Sequence, residues 1–214
     1  MIPARRFLMI RHGQTEANAK GVLAGSLETP LTARGRDQAQ KANALLPFLP
    51  FQPRVLICSA LSRARETAQI LNEEMNLPLH EAAALGERSF GDWAGKPYAS
   101  FWPRMDQGET PPGGESREAF FARVHKALAE ILEGYEDPLI VAHGGTFDAF
   151  IGLYGLALED VKNCELYVFE PDATQTDCPW SIRHCAQSAD GQVALLAVSC
   201  VPPDKAWIVR RAKA

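Results

Sequence analysis

The sequence predicts an α/β fold, a single domain over residues 1–214 with a mainly parallel central sheet flanked by helices and an irregular insertion placed to cover an active site. Three observations carry that expectation. Short, continuous apolar runs occur at residues 7–10, 55–58 and 139–142, the mark of strands buried on both faces. Segments with apolar residues at helical spacing follow each run, so strands and helices alternate as in a parallel sheet with crossover helices. The first and third runs empty directly into glycine-containing turns, where such sheets place ligands.

The elements follow in order. Phe7-Leu8-Met9-Ile10 is the first strand, and it ends in Arg11-His12-Gly13-Gln14-Thr15. Thr32 is placed as an N-cap, with Ala39, Ala42, Leu45 and Leu46 on one face of the helix behind it. Pro47, Pro50 and Pro53 close that helix, because proline lacks the amide hydrogen a helix interior needs. Val55-Leu56-Ile57-Cys58 is the second strand, and Ala64, Thr67, Ala68 and Leu71 share a face of the helix after it. Residues 85–114 break the rhythm. Rich in Gly, Pro, Trp and Phe and without a sustained period, they read as a long excursion with short helical turns.

Ser116 is placed to cap a long helix with Phe120, Val124, Leu128, Ile131 and Leu132 as its core stripe, ending near Gly134. Leu139-Ile140-Val141-Ala142 is the third strand, leading into His143-Gly144-Gly145 and a helix carrying Phe147, Phe150, Ile151 and Tyr154. Beyond Gly155 the pattern turns strand-like at residues 166–169, 180–182 and 193–196.

Composition narrows the function classes. A formal net charge of -4 gives no broad basic field, which argues against nucleic acid or an anionic membrane as partner and leaves room for a small phosphorylated substrate. Cys58, Cys164, Cys178, Cys185 and Cys200 are odd in number and scattered, the usage of reduced thiols in a cytoplasmic protein. The apolar run after Arg5 and Arg6 is interrupted at Arg11, too early for a secretory or membrane-spanning segment. Nothing in the pattern specifies an oligomeric state.

Four constellations carry candidate chemistry. An imidazole at a strand end, with Arg11 beside it and Gly13 permitting close backbone approach, suits His12 for attack on a phosphoryl group. A lone Arg-His-Gly tripeptide is more often a histidine hydrogen-bonded to the backbone. Arg63, at the start of the helix after the second strand, can aim a guanidinium fork at phosphate oxygens or simply lie exposed, and Arg65 reads as exposed. His143-Gly144-Gly145 offers an imidazole and free helix amides to an anion. Glu87 supplies a carboxyl group for proton transfer, or is a solvated loop acid.

In combination these pieces resemble the histidine phosphatase superfamily, in its phosphoglycerate-mutase-like branch and its compact phosphatase type. The matching segments are RHGQTEAN at 11–18, LETPLTARGRDQA at 27–39, SALSRARETA at 59–68, LGERSFGDWAG at 85–95, PPGGES at 111–116 and VAHGGTFDAF at 141–150, in the family's order. The resemblance implies that His12 is the phosphorylated nucleophile and that Arg11, Arg63 and His143 surround the phosphoryl group. It further implies that Asn18 adds an amide donor, Gly144 a backbone one, and that Glu87 serves as general acid and then base. Two arginines and a histidine supply the needed charge, so no metal and no cofactor is expected.

The function expected on this basis is a metal-independent phosphomonoester hydrolase working through a phosphohistidine. A phosphoglycerate mutase is the alternative, kept open by Arg88 beside Glu87, and a non-catalytic phosphate-binding module is the less favoured one. Ala94 stands where the family often has a further Glu. Cys178, His184 and Cys185 have no usual zinc spacing, and His80 and His125 read as surface residues. Trp93, Tyr98, Phe101 and Trp102 suit either a substrate wall or a small core.

Overall fold

The structure is a computed structural model and describes residues 1–158, 160–175, 178–187 and 190–198. Its centre is a seven-stranded sheet among the described residues, built from β1 (Phe7–Arg11), β2 (Val55–Ser59), β3 (Leu79–Ala82), β4 (Pro138–Ala142), β5 (Leu166–Pro171), β6 (Trp180–Gln187) and β7 (Val193–Ala197). The spatial order is β3-β2-β4-β1-β5-β6-β7. The first four strands are parallel, and β5, β6 and β7 extend the sheet in antiparallel fashion. The mainly parallel, helix-flanked architecture expected from the sequence is present.

Strand periodicity divides the core into two layers. Leu8, Ile10, Leu56, Cys58, Leu139 and Val141 face one side, where α2 (Ala33–Asn43) and α3 (Ser62–Asn72) cover them with Ala39, Ala42, Ala64, Ala68 and Leu71. Phe7, Met9, Ile57 and Ile140 face the other, under α5 (Arg117–Gly134) and α6 (Gly144–Gly152). Alternate residues of one strand thus feed opposite layers, which is why these runs are apolar throughout. Each fully buried Leu, Ile or Phe stabilises the fold by about 1.5–3 kcal/mol. Phe7 is also held across the β1·β5 pair by Phe169, the rings stacked with centroids 4.4 Å apart.

Local caps match the sequence reading. Thr32 accepts a hydrogen bond from Gly35 N at 3.0 Å and starts α2, and Ser116 accepts one from Ala119 N at 3.1 Å and starts α5. Leu45 and Leu46 fall beyond α2. Pro47 cannot continue the helix, and residues 46–48 tighten into a 3-10 turn. Three elements carry little sequence signal: α1 (Glu16–Lys20), α4 (Tyr98–Asp106) and the edge strand β3, whose Leu-His-Glu-Ala has no apolar run. Among the described residues no helix is long and apolar enough to cross a membrane.

Candidate active site

Parallel pairing of β2 and β1 on either side of β4 brings the carboxyl ends of all three strands to one edge. Arg11 ends β1 and His12 follows it, its amide donating to the carbonyl of Ala142 at 3.0 Å. His143 leaves β4 and begins α6, and Ser59 ends β2. The rings of His12 and His143 lie 5.1 Å apart.

His12 is 5% exposed. Its Nδ1 lies 2.7 Å from the carbonyl of Gly13, a contact that requires the proton on Nδ1 and leaves the lone pair on Nε2. Arg63 Nε donates to that Nε2 at 3.2 Å. Burial, with the nearby charges of Arg63 and Arg11, holds the imidazole pKa well below its usual 6.5. His12 is therefore a neutral imidazole whose Nε2 lone pair accepts only the Arg63 Nε–H, a contact that gives way when Nε2 attacks phosphorus.

Arg63 is 2% exposed despite its charge, and its remaining nitrogens donate to the carbonyls of Leu27 at 2.9 Å and Gly25 at 2.7 Å. Thr67 ties the same helix to the histidine loop: its Oγ1 accepts from Gly13 N at 3.0 Å and donates to the carbonyl of Arg63 at 2.7 Å. Gly13 is needed because a Cβ there would stand 2.4 Å from the carbonyl oxygen of Gly35 in α2. Arg65 points away, paired with Glu81 at 2.6 Å.

His143 is fully buried, and its Nε2 lies 2.8 Å from Ser59 Oγ. Burial first, then the charges of His12, Arg63 and Arg11, keep its pKa well below 6.5. Two buried atoms of this cluster, Arg11 Nε and His143 Nδ1, have no hydrogen-bond partner among the described residues. The other end of the Arg11 guanidinium donates from Nη1 to the carbonyl of Val161 at 2.6 Å. Donors so placed, beside two guanidinium groups, suit an anion as partner. Gly144 opens α6 beside the Arg11 guanidinium, and as a first-turn residue it contributes a free helix amide to the same corner.

Glu87 enters from the excursion. Its carboxylate accepts from the amides of Arg88 at 2.9 Å and Gly145 at 3.1 Å, and it is near enough to Arg63 to favour the guanidinium charge. A cleft of about 710 Å³ opens here, with Ser59 and Glu87 in its wall and Gly86, Ser89, Gly113 and Gly114 contributed by the excursion and the loop after it. The expected covering role of that segment is met at its two ends. Gly91 closes them on each other, since a Cβ there would meet the carbonyl oxygen of Pro112 at 2.1 Å.

The sequence profile of the histidine phosphatase superfamily (branch 1) matches residues 7–180. The chain belongs to the histidine phosphatase superfamily. Among relatives of this superfamily, the adenosylcobalamin/alpha-ribazole phosphatase of Escherichia coli K12 is 35% identical over 72% of this chain and 81% of its own length. A 2,3-bisphosphoglycerate-dependent phosphoglycerate mutase of Bartonella henselae is 34% identical over 79% of this chain and 95% of its own. The solved mycobacterial glucosyl-3-phosphoglycerate phosphatase in complex with VO3 superposes with a TM-score of 0.72 at 29% identity, covering 84% of this chain and 97% of that one. Superfamily members of both reaction types are thus similar to this chain.

Within this histidine phosphatase domain, Asn18 sits at the third position of α1. Its Oδ1 accepts from Thr15 N and Thr15 Oγ1, both at 3.1 Å, and from Asn163 Nδ2 at 3.3 Å. With the oxygen so engaged, its amide hydrogens are the end free for a ligand. The segment after Gly155, which carries no site motif in the sequence, also reaches the site. Asn163 Nδ2 also donates to the carbonyl of His12 at 2.9 Å, and Cys164 N donates to the carbonyl of Arg11 at 2.9 Å. Residues 161–164 therefore splint the histidine turn from behind. Ser59 is the other residue that motif reading leaves unassigned.

The remaining candidates find their places. Arg88 is buried, its Nε on the carbonyl of Glu115 at 2.9 Å. Trp93 packs with Leu23 and Met105 in a small core, and Phe101 lies against it at 5.0 Å. Cys178 and Cys185 lie in the two core layers on opposite sides of the sheet, so they do not converge on one ion. Among the described residues no group of three potential metal ligands occurs. Cys58, Cys164, Cys178 and Cys185 are free thiols, and Cys200 lies outside the described residues. His80 is exposed as expected. His125 is half-buried instead, with its Nε2 2.5 Å from the carbonyl of Ala149, because α5 turns it toward α6.

Proposed function

We propose that the chain is a phosphomonoester hydrolase that passes the phosphoryl group through Nε2 of His12 to water. The observation that carries this reading is the buried, neutral His12, its Nδ1 bound to Gly13 O and its Nε2 beside Arg63. In the first step the Nε2 lone pair forms a bond to phosphorus as the ester P–O bond breaks, and Glu87 gives a proton to the departing alcohol oxygen. In the second, water attacks the phosphohistidine, Glu87 takes up its proton, and inorganic phosphate leaves with His12 restored.

Arg11, Arg63, His143 and the Gly144 amide neutralise the equatorial oxygens, where charge accumulates in such transition states. Ser59 Oγ accepts from Leu61 N at 3.3 Å, which directs its own hydrogen to His143 Nε2 and leaves Nδ1–H of His143 to the phosphoryl group. The Asn18 amide adds a further donor. These groups meet the electrostatic demand without a metal or cofactor.

Mutase-type transfer is the second reading, motivated by the relatives of that name. Arg88, its sequence mark, is buried with its Nε on the carbonyl of Glu115, an engagement that favours water as the acceptor. A single domain over 1–214 working on a small phosphorylated substrate in the cytoplasm suits this chemistry and the buried free thiols. The test is a phosphate-release assay on p-nitrophenyl phosphate and a panel of phosphorylated metabolites, with 3-phosphoglycerate followed by NMR. Phosphate release in step with substrate loss supports the hydrolase. Primer-dependent 2-phosphoglycerate, formed faster than phosphate, replaces it with the mutase.

A further inference from the structure

The wall of the cleft beyond the phosphate corner has a distinct chemistry. Among the described residues that line it, Arg123 is the one cation, and that side chain is engaged. Arg123 Nε and Nη2 meet the two oxygens of Glu115 at 3.0 and 2.7 Å, and Nη1 donates to the carbonyls of Ala84 at 2.8 Å and Gly86 at 2.9 Å. The guanidinium is thus a clasp between α5 and the strap that carries Glu87, with little donor capacity left for a ligand.

The rest of the lining combines carboxylates and hydroxyls with the small apolar side chains of Ala60, Leu61 and Ala83. Glu28 stands at the mouth, its carboxylate accepting from Ser62 N at 2.9 Å and from Ser62 Oγ, and those bonds keep it ionised. Ser26 and Ser89 add hydroxyls, and Gly113 and Gly114 present bare backbone. The described lining contains no aromatic ring: the excursion's Trp93 is turned into its own small core with Phe101 against it. The cleft therefore offers hydrogen bonds in both directions, no stacking surface for a base, and like-charge repulsion toward a second anion.

Resting on the hydrolase reading above, we infer that the substrate is a phosphorylated sugar or polyol whose remaining part is uncharged, and that Glu28 is a specificity residue excluding substrates with a second negative group. A volume of about 710 Å³ is in the range of small-molecule pockets and accommodates such an alcohol. Glu28 is exposed, so screening limits its effect to discrimination between substrates.

The test measures kcat/KM for three probes, ribose 5-phosphate, 3-phosphoglycerate and p-nitrophenyl phosphate, in wild type and in Glu28→Gln. Ribose 5-phosphate should exceed 3-phosphoglycerate by on the order of tenfold or more at low ionic strength, and Glu28→Gln should narrow that ratio by roughly threefold or more. Parity of the two substrates, or a ratio that does not move in the variant, overturns the inference while p-nitrophenyl phosphate still reports a working hydrolase. No phosphate from any probe, p-nitrophenyl phosphate included, removes the hydrolase reading and this inference with it.

Discussion

The Arg63 guanidinium and the His12 imidazole form one buried unit: Nε of the arginine donates to Nε2 of the histidine at 3.2 Å, while its outer nitrogens are fixed on Leu27 O and Gly25 O. The contact aims the positive charge at the atom proposed to receive the phosphoryl group. It also prevents protonation of that atom, because a second positive charge in the same buried space is unfavourable.

Arg63→Lys should lower kcat/KM for p-nitrophenyl phosphate by on the order of a hundredfold, since an ammonium cannot hold both carbonyls and still point at His12. The comparison needs only steady-state rates and a melting curve to establish folding. Wild-type kcat/KM in a folded variant would remove Arg63 from the account.

Glu87→Gln keeps the size of the side chain and one of its two bonds to Arg88 N and Gly145 N, since an amide has one acceptor oxygen, and it has no acidic proton to give. A loss of about a hundredfold or more is expected on an alkyl phosphate, and a distinctly smaller one on p-nitrophenyl phosphate, whose leaving group barely needs a proton. Equal losses on both esters would assign Glu87 a positioning role instead.

The buried histidines also set a pH dependence of stability. His12 and His143 both have pKa values depressed below 6.5, so below that pH the unfolded chain binds protons that the folded chain does not. Stability is therefore level above about pH 6.5 and falls as the pH drops below it, by about 1.4 kcal/mol per pH unit for each histidine until its folded pKa is reached. Denaturant melts between pH 7 and pH 5 measure this slope, and His12→Ala should reduce it to the part that His143 contributes. An unaltered slope in that variant would show that His12 titrates normally in the folded protein.

Asn163 tests the splint behind the site. Asn163→Ala removes the donor to His12 O and Asn18 Oδ1, two side-chain hydrogen bonds worth roughly 1 kcal/mol each. Tungstate affinity should fall by about tenfold along with kcat/KM, because the turn that carries His12 loses its side-chain support from behind and Asn18 Oδ1 loses one of its three donors. A general loss of packing would lower the melting temperature and leave tungstate binding as it was, and that result would contradict the positioning role.

Legibility in the sequence followed physical range. Buried strands such as residues 139–142 announce themselves because both faces need apolar side chains, and Thr32 and Ser116 because capping is a contact over three residues. Asn163 had no such signal: its partner His12 is 151 positions away, and a polar residue in a loop looks alike whether or not it reaches an active site. Edge strand β3 was silent for a related reason, since Leu79-His80-Glu81-Ala82 is paired on one side only and needs no apolar run. Adjacency of Arg88 to Glu87 in the sequence says nothing about direction, and its side chain turns to Glu115 O.

Phosphorylation of His12 is the step on which the proposed mechanism most directly depends. Mixing the enzyme with p-nitrophenyl phosphate, quenching in alkali to preserve phosphohistidine, and mapping the peptide by mass spectrometry should find one phosphoryl group on His12. None should appear in His12→Ala, which should be folded and inactive. Turnover with no phosphorylated enzyme at any time, or a phosphoryl group on His143 with His12 unmodified, would contradict it.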